Sequence, residues 1–210
     1  MKIDRVVVGP VETNCWIIED SDGGVTVIDP GDETDAINEA IADRPVRAVI
    51  LTHGHWDHVG SADEVSDDNS SFLWAHRADV EALQGELGRS GERFGIETPK
   101  PKIDHKVDHG DIIEAGDLRF EVIHTPGHTP GGMCLLVTDP ATGEEHLFTG
   151  DTLFAGSVGR TDFPESIPEE MEPSLESIAE RFAPEVKVYP GHGPATTIAR
   201  ESQVNPFWPV

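Results

Sequence analysis

The chain has 210 residues, enough for one substantial core but too few for two ordinary domains, so we expect a single domain over residues 1–210. Its 40 acidic and 15 basic residues give a formal net charge of −25. A charge of this sign repels nucleic acid and anionic lipid, so both are disfavoured as partners. Cys15 and Cys134 form no CxxC pair, and no apolar stretch is long enough for a signal peptide or a membrane span, so the sequence predicts a cytoplasmic protein.

The acidic residues fall in clusters, of which Glu19-Asp20-Ser21-Asp22 is one. One hypothesis is adaptation to a salt-rich cytosol, where salt screens self-repulsion and carboxylates keep the surface hydrated. The alternative is an unusually acidic protein from an ordinary cytosol.

Apolar or alternating stretches bounded by turn residues predict nine strands. The turns "DSDGG" after Glu19 and "DPATG" after Thr138 are typical of hairpins. The predicted strands cover residues 5–8, 15–19, 25–29, 47–51, 71–75, 118–124, 133–138, 146–149 and 186–189.

Helical spacing of apolar residues predicts helices over 34–43 and 173–182, the second with Ser174 as a plausible N-cap. Shorter helices are expected to begin near Ser61 and Ala78. The glycine-rich stretch 85–101 is interpreted as a loop, either near a site mouth or an ordinary surface excursion. Early hairpins followed by alternating strands and helices predict an α/β fold with two mixed sheets and helices outside.

Four segments share one pattern, in which an apolar strand runs into a small-residue turn that carries a metal-competent side chain. They are "AVILTHGHWDH", "FEVIHTPGHT", "HLFTGDT" and "VKVYPGHGP". The candidate ligands are His53, His55, Asp57, His58, His128, Asp151 and His192.

Seven ligands are too many for one tetrahedral zinc and suit two ions. Residues i and i+2 of an extended segment point to the same side, so His53 and His55 can hold one ion, with His128 completing the set. Asp57 and His58 can bind a second ion together with His192, and Asp151 bridges the two ions. Imidazole and carboxylate ligands without thiolate fit zinc, iron or manganese.

Any one of these histidines alone would be a structural residue, but "HxHxDH" with three further ligands at strand ends favours metal. The remaining histidines lack this context. Of these, His124 could orient a ligand, whereas surface or packing roles are expected for His76, His105, His109 and His146.

These segments, with "ETNCW", "VIDPGD", "FTGDTLFAGSVGRTDFP" and a terminal "NPFW", resemble the metallo-β-lactamase superfamily and, within it, the short glyoxalase II-like (hydroxyacylglutathione hydrolase-like) hydrolases. The resemblance implies an αββα sandwich of two mixed β-sheets flanked by helices. It also implies a dinuclear site with two divalent ions, zinc favoured over iron or manganese, held by the two ligand sets above and bridged by Asp151.

The implied reaction is hydrolysis of a hydroxyacyl thioester, such as lactoylglutathione, by a hydroxide that the two metals bridge and Asp57 orients. Asp57 and Asp151 are thus the expected catalytic residues. β-Lactamases of this fold place a cysteine where this chain has Asp151, so antibiotic hydrolysis is not expected. The chain ends 18 residues after His192, so the C-terminal helical glutathione-binding domain of longer glyoxalase II enzymes is expected to be absent.

Those longer enzymes have a lysine nine residues beyond the bridging aspartate, where this chain has Arg160. Arg160 is either an anchor for a substrate carboxylate or a structural residue paired with Asp162. The thiol carrier, the acyl group and the oligomeric state stay open. The alternative function is a persulfide dioxygenase with one iron, because "GRTDF" resembles that group too; a non-enzymatic module is a weaker third.

Overall fold

One six-stranded sheet is formed by the N-terminal half of the chain in the computed structural model, which describes residues 1–209. Its strands lie in chain order, antiparallel from β1 to β3 and parallel from β3 to β6. The parallel pairs require helical crossovers, which occupy the intervening segments. The strands are β1 Lys2–Val8, β2 Thr13–Glu19, β3 Val25–Ile28, β4 Val46–Ile50, β5 Leu73–His76 and β6 His105–Val107.

A second six-stranded sheet is formed by the C-terminal half, in the order β14-β13-β10-β9-β8-β7. It is mixed as well, because β10 and β13 are parallel while the other neighbours are antiparallel. Two short strands, β11 and β12, form a separate hairpin. The strands are β7 Ile112–Ala115, β8 Leu118–His124, β9 Met133–Thr138, β10 Glu145–Gly150, β11 Leu153–Phe154, β12 Ser157–Val158, β13 Lys187–Pro190 and β14 Thr196–Thr197.

Helices cover the outer faces of both sheets. They are α1 Thr34–Ile41, α2 Trp56–Val59, α3 Ala62–Asp68, α4 Arg77–Ala82, the 3₁₀ helix Leu87–Phe94, α5 Pro168–Arg181 and α6 Ile198–Val204. Apolar side chains fill the space between the sheets, with Trp16 and Ile50 on one side and Phe120 and Phe148 on the other. Further apolar layers join the first sheet to α1 and α3, and the second sheet to α5 and α6. The predicted αββα arrangement of two mixed sheets is confirmed.

All nine predicted strands are present, with ends that differ by a few residues at most. The N-cap prediction for Ser174 is wrong, because α5 begins at Pro168, whose fixed φ suits a first helical position. Ser174 lies inside α5 and donates its hydroxyl to the carbonyl of Pro126 at 2.7 Å. The loop interpretation of 85–101 is also wrong in part, since Leu87–Phe94 forms the 3₁₀ helix.

Within residues 1–209, every helix is too short or too polar to cross a membrane. The ends of β4, β8, β10 and β13 meet at one edge of the sandwich, and the next residue or the next few residues after each strand carry a predicted ligand. This edge of the sandwich therefore brings the predicted ligands together.

Candidate metal centre

All seven residues that the sequence predicted as ligands lie together at the sheet edge. Three groups of three residues have donor atoms within 4.8 Å of one another. One group joins His53 and His58 with Asp29, and the other two consist only of predicted ligands. The first set is His53, His55 and His128, and the second set is Asp57, His58 and His192. The division is the one that the sequence spacing predicted.

Hydrogen bonds on the outer side of the first set orient two of its rings. The Nε2–H of His55 donates to the Glu165 carboxylate at 2.9 Å, and the Nδ1–H of His128 donates to the carbonyl of Arg160 at 2.6 Å. Both acceptors have no proton to give, so each neutral imidazole carries its hydrogen on that side. The lone pairs of His55 Nδ1 and His128 Nε2 then point toward each other, and the two nitrogen atoms are 2.8 Å apart. This arrangement is suited to a cation between them.

The third ring, that of His53, is oriented through a hydroxyl. Thr52 donates its hydroxyl to Asp29 at 2.6 Å and so accepts from His53 Nδ1 at 3.1 Å. His53 Nε2 consequently carries a lone pair, and it is buried without a hydrogen-bond partner among the described residues. A buried polar atom without a partner calls for an explanation, and a bound ion supplies one.

The second set combines imidazole with carboxylate. His58 Nδ1 lies 3.0 Å from Asp29, and His192 Nδ1 lies 3.1 Å from the carbonyl of Val11, so both rings direct Nε2 toward the site. The two Nε2 atoms are 3.3 Å apart. The Asp57 carboxylate lies 3.2 Å from His192 Nε2 and 3.5 Å from His58 Nε2.

Asp151 lies between the two sets. Its carboxylate is 3.4 Å from His128 Nε2 in the first set, and 3.4 and 3.6 Å from His58 and His192 Nε2 in the second. Its buried Oδ1 has no hydrogen-bond partner in residues 1–209. A shared carboxylate with a free oxygen fits a bridging ligand.

The two sets differ in electrostatics. Burial and the neighbouring histidines hold the pKa of His53 well below its ordinary value, and burial with the charge of His55 lowers the pKa of His128 to about 4. Burial also lowers the pKa of His58, but the carboxylates of Asp57, Asp151 and Asp29 outweigh it and raise the pKa to about 10. His53 and His128 of the first set are thus neutral imidazoles, whereas a cation at the second set must displace a proton from His58.

The donor chemistry fits divalent metal. The first set supplies three imidazole nitrogens, the second supplies two imidazoles and a carboxylate, and one carboxylate joins them. Nitrogen and oxygen donors of this kind hold zinc, iron or manganese. Neither cysteine contributes, because Cys15 and Cys134 are buried away from the site in the apolar layers.

A glycine allows the two sets to approach. A Cβ on Gly191, directly before His192, would lie 2.3 Å from Asp151 Oδ1 and 2.7 Å from His58 Cε1. Both distances are far below van der Waals contact, so only glycine fits here. The glycine in "YPGHGP" is therefore a packing requirement of the site.

Sequence reasoning missed Asp29, which supports both sets. Its carboxylate accepts from the Thr52 backbone N–H at 2.7 Å, from the Thr52 hydroxyl and from His58. Asp29 has a φ of 55°, an uncommon conformation for a residue other than glycine. The segment "VIDPGD" carried the signal, since this aspartate follows a buried strand as the ligands do.

Asp79 and Glu165 were also missed. Asp79 is buried and accepts from the backbone N–H of Gly54 at 2.8 Å and from the Thr129 hydroxyl at 2.9 Å, so it ties the turn between His53 and His55 to the turn after His128. Glu165 contacts His55 directly. No local pattern distinguishes either residue from the many other acids of this chain.

A pocket of about 330 Å³ opens onto the metal centre. Its walls include Ser90, Arg93 and Phe94 of the 3₁₀ helix, so the stretch 85–101 does lie at the site mouth. Arg160 lines the same pocket and makes two hydrogen bonds to Asp162 at 2.9 and 2.8 Å. The predicted pairing of Arg160 with Asp162 is present, and the paired Arg160 still lines the pocket.

The other histidines lie elsewhere. His124, the histidine that could orient a ligand, donates Nε2–H to the carbonyl of Pro130 and stacks on His76, so it does not orient a ligand by a direct hydrogen bond. His105 stacks on Trp74, and His146 hydrogen-bonds Tyr189.

The family model of the metallo-β-lactamase superfamily matches residues 8–192. The chain belongs to this superfamily. A relative from Haemophilus influenzae, the hydroxyacylglutathione hydrolase GloC, is 33% identical over 99% of this chain and 98% of its own length.

Two solved structures are similar over nearly their whole length. The BLEG-1 B3 metallo-β-lactamase superposes with a TM-score of 0.87 at 30% identity, covering 99% of each chain. TTHA1623 in a di-iron-bound form has a TM-score of 0.83 at 33% identity, covering 97% of this chain and 99% of its own. The superfamily fold is shared by proteins whose names indicate different substrates, so the substrate has to be inferred from the pocket.

Proposed function

We propose that this protein is a metal-dependent hydrolase that cleaves a hydroxyacyl thioester, with two divalent ions held by the two ligand sets. The observation that carries the proposal is the pair of convergent donor sets joined by Asp151 at the base of the pocket. The similarity to the hydroxyacylglutathione hydrolase GloC supports the thioester class.

Two bound divalent ions would supply a water nucleophile of lowered pKa and positive charge for the developing oxyanion. The remaining chemistry falls to side chains. Asp57 is fixed by the hydroxyl of Thr13 at 3.2 Å and by His192, and it lines the pocket. Asp57 orients the attacking water, and Asp151 holds the two ligand sets together.

The pocket walls indicate how the substrate is held. Phe154, Val158 and Phe163 provide apolar surface, while Arg160 supplies a guanidinium at the wall. The pair of Arg160 with Asp162 is exposed, at 65% and 68% of the side-chain surface, and such pairs contribute little stability. Arg160 is therefore free to bind a substrate carboxylate, which guanidinium recognises with two parallel hydrogen bonds.

Covalent catalysis by a protein nucleophile is disfavoured. The hydroxyl of Ser90 lines the pocket, but it accepts from the Trp56 N–H and has no histidine partner within residues 1–209. Burial raises the pKa of the Cys134 thiol to about 11. An unactivated hydroxyl and a buried neutral thiol are poor nucleophiles, so hydrolysis by water is preferred.

The test is thioester hydrolysis by purified protein loaded with zinc, iron or manganese, with lactoylglutathione and hydroxyacyl esters of shorter thiols as substrates. We expect loss of thioester absorbance with at least one carrier. No hydrolysis of any carrier would contradict the proposal. A β-lactam substrate serves as a second arm, because of the similarity to BLEG-1, and little hydrolysis is expected. Oxygen consumption with glutathione persulfide and one iron per chain would instead indicate a dioxygenase.

We further propose that residues 1–210 form one cytoplasmic domain whose partner is a small molecule, not nucleic acid or membrane, and whose charge of −25 reflects salt adaptation. Exposed carboxylates repel each other less when salt screens them. We expect the midpoint of thermal unfolding to rise between dilute buffer and molar KCl. Equal stability and activity in both would contradict the salt hypothesis.

A further inference from the structure

Glu165 is a buried acid in contact with the metal centre that lies outside both ligand sets. Its side chain is 2% exposed. One carboxylate oxygen accepts from His55 Nε2 at 2.9 Å, and the other accepts from the Arg93 guanidinium at 2.5 Å. Its two oxygens therefore have different partners.

The bond to His55 decides which nitrogen of that ring is available. A carboxylate only accepts, so the hydrogen of the neutral ring is held on Nε2 and the lone pair is held on Nδ1. Nδ1 is the atom that faces His128 Nε2 across 2.8 Å. We propose that Glu165 is a positioning residue that fixes the ring and the tautomer of His55 for cation binding, and that Arg93 holds Glu165 in that position.

Arg93 connects this contact to the pocket wall. It lies in the 3₁₀ helix Leu87–Phe94, lines the pocket, and places its guanidinium 4.7 Å from the centre of the Phe163 ring. A buried carboxylate needs a partner for its charge, and Arg93 supplies it from a segment that is 72 residues away in the chain. The 3₁₀ helix thereby contributes to the metal centre without a ligand of its own.

The inference rests on cations binding the first set, as the proposed function requires, but not on the identity of the substrate. Its test uses cation binding and not hydrolysis. If no thioester is cleaved while Glu165 still controls cation affinity, the proposed function fails and this inference stands.

The central experiment compares Glu165→Gln with Glu169→Gln. The control removes the same charge from an exposed position four residues away. Zinc dissociation constants are measured by competition with a chromophoric chelator. Glutamine has one acceptor oxygen and must turn its NH₂ toward either His55 or Arg93, both of which donate there. We expect zinc to bind one site about 10–100-fold more weakly in Glu165→Gln, and within twofold of wild type in Glu169→Gln.

A spectroscopic readout separates positioning from general structural support. Long-range ¹H–¹⁵N spectra of histidine-labelled protein report which ring nitrogen carries the hydrogen, with His55 assigned by its loss in His55→Asn. In metal-free protein, where no ion fixes the ring, we expect one tautomer with the hydrogen on Nε2 in wild type and a mixture in Glu165→Gln. An unchanged tautomer together with zinc affinity within twofold of wild type would overturn the proposal.

The Arg93 variants test the second half of the inference and cover a failure of Glu165→Gln to fold. We expect Arg93→Gln to weaken zinc binding and to mix the His55 tautomers, and Arg93→Lys to restore part of both. Arg89→Gln, an exposed position in the same helix that pairs with Glu86, should match wild type. An Arg93→Gln protein with wild-type affinity and a single tautomer would show that Arg93 does not hold Glu165 in place.

Discussion

The two ligand sets lie side by side, but their environments are different. The first consists of three buried histidines, each fixed from behind by a hydrogen bond. The second lies toward the pocket, where the side chains of His192 and Asp57 are 25% and 14% exposed, and it includes a carboxylate. For the proposed dinuclear site, we expect from this contrast that the first set binds its ion through preorganised geometry. We expect the second set to bind its ion through charge and to be the one that a substrate reaches.

The largest effect is expected from Asp151→Asn, because this variant removes the one carboxylate that both sets share. We expect fewer than two ions per chain and a loss of kcat of about a thousandfold. Metal analysis and thioester kinetics on the same preparation check this. The matched control is Asp43→Asn, at an exposed site away from the pocket. An Asp151→Asn enzyme within tenfold of wild type would show that the sets work independently.

One variant in each ligand set tests the difference between the two sets directly. His128→Ala and His192→Ala should each reduce the metal content from two ions to one. Because His128 is 5% exposed, we expect its variant also to lose about 1–3 kcal/mol of unfolding free energy, measured with denaturant, while His192→Ala stays near wild type. His105→Ala, outside the site, controls for loss of an imidazole. Equal destabilisation by both variants would contradict the assigned difference in burial.

Asp29→Asn should weaken both sets at once, since this residue supports His58 directly and His53 through Thr52. An amide has one acceptor oxygen, so it cannot serve all of these donors. We expect zinc affinity to fall by about 10–100-fold at both sites in chelator competition. Asp32→Asn, an exposed neighbour, is the control. Weakening at only one site would mean that Asp29 supports only that set.

Glu165 and Asp79, which support the ligands, could not be predicted from the sequence. The seven ligands and the αββα arrangement were predicted because each ligand follows a strand within a glycine-flanked turn, and the strands have clear apolar patterns. Glu165 lies 110 residues from the histidine that it contacts, and Asp79 lies 52 residues from Gly131, to which it also bonds. Such contacts arise only when the loops fold together. The two-residue strands β11, β12 and β14 likewise depend on their pairing partners and have no pattern of their own.

The smallest effect is expected from Arg160→Gln, which should alter substrate binding and leave both metal sets intact. Losing one charged contact predicts a KM raised about tenfold with two ions retained. Arg119→Gln, an exposed arginine of β8, is the control. If Arg160 were only the partner of Asp162, then Arg160→Gln and Asp162→Asn would change stability alike and leave KM unchanged.

Metal content per chain, measured by elemental analysis on protein purified from its native host, tests the central claim most directly. Two complete donor sets joined by Asp151 predict two divalent ions per chain. A single iron per chain, with no second ion taken up on adding metal, would contradict the dinuclear hydrolase and favour the dioxygenase.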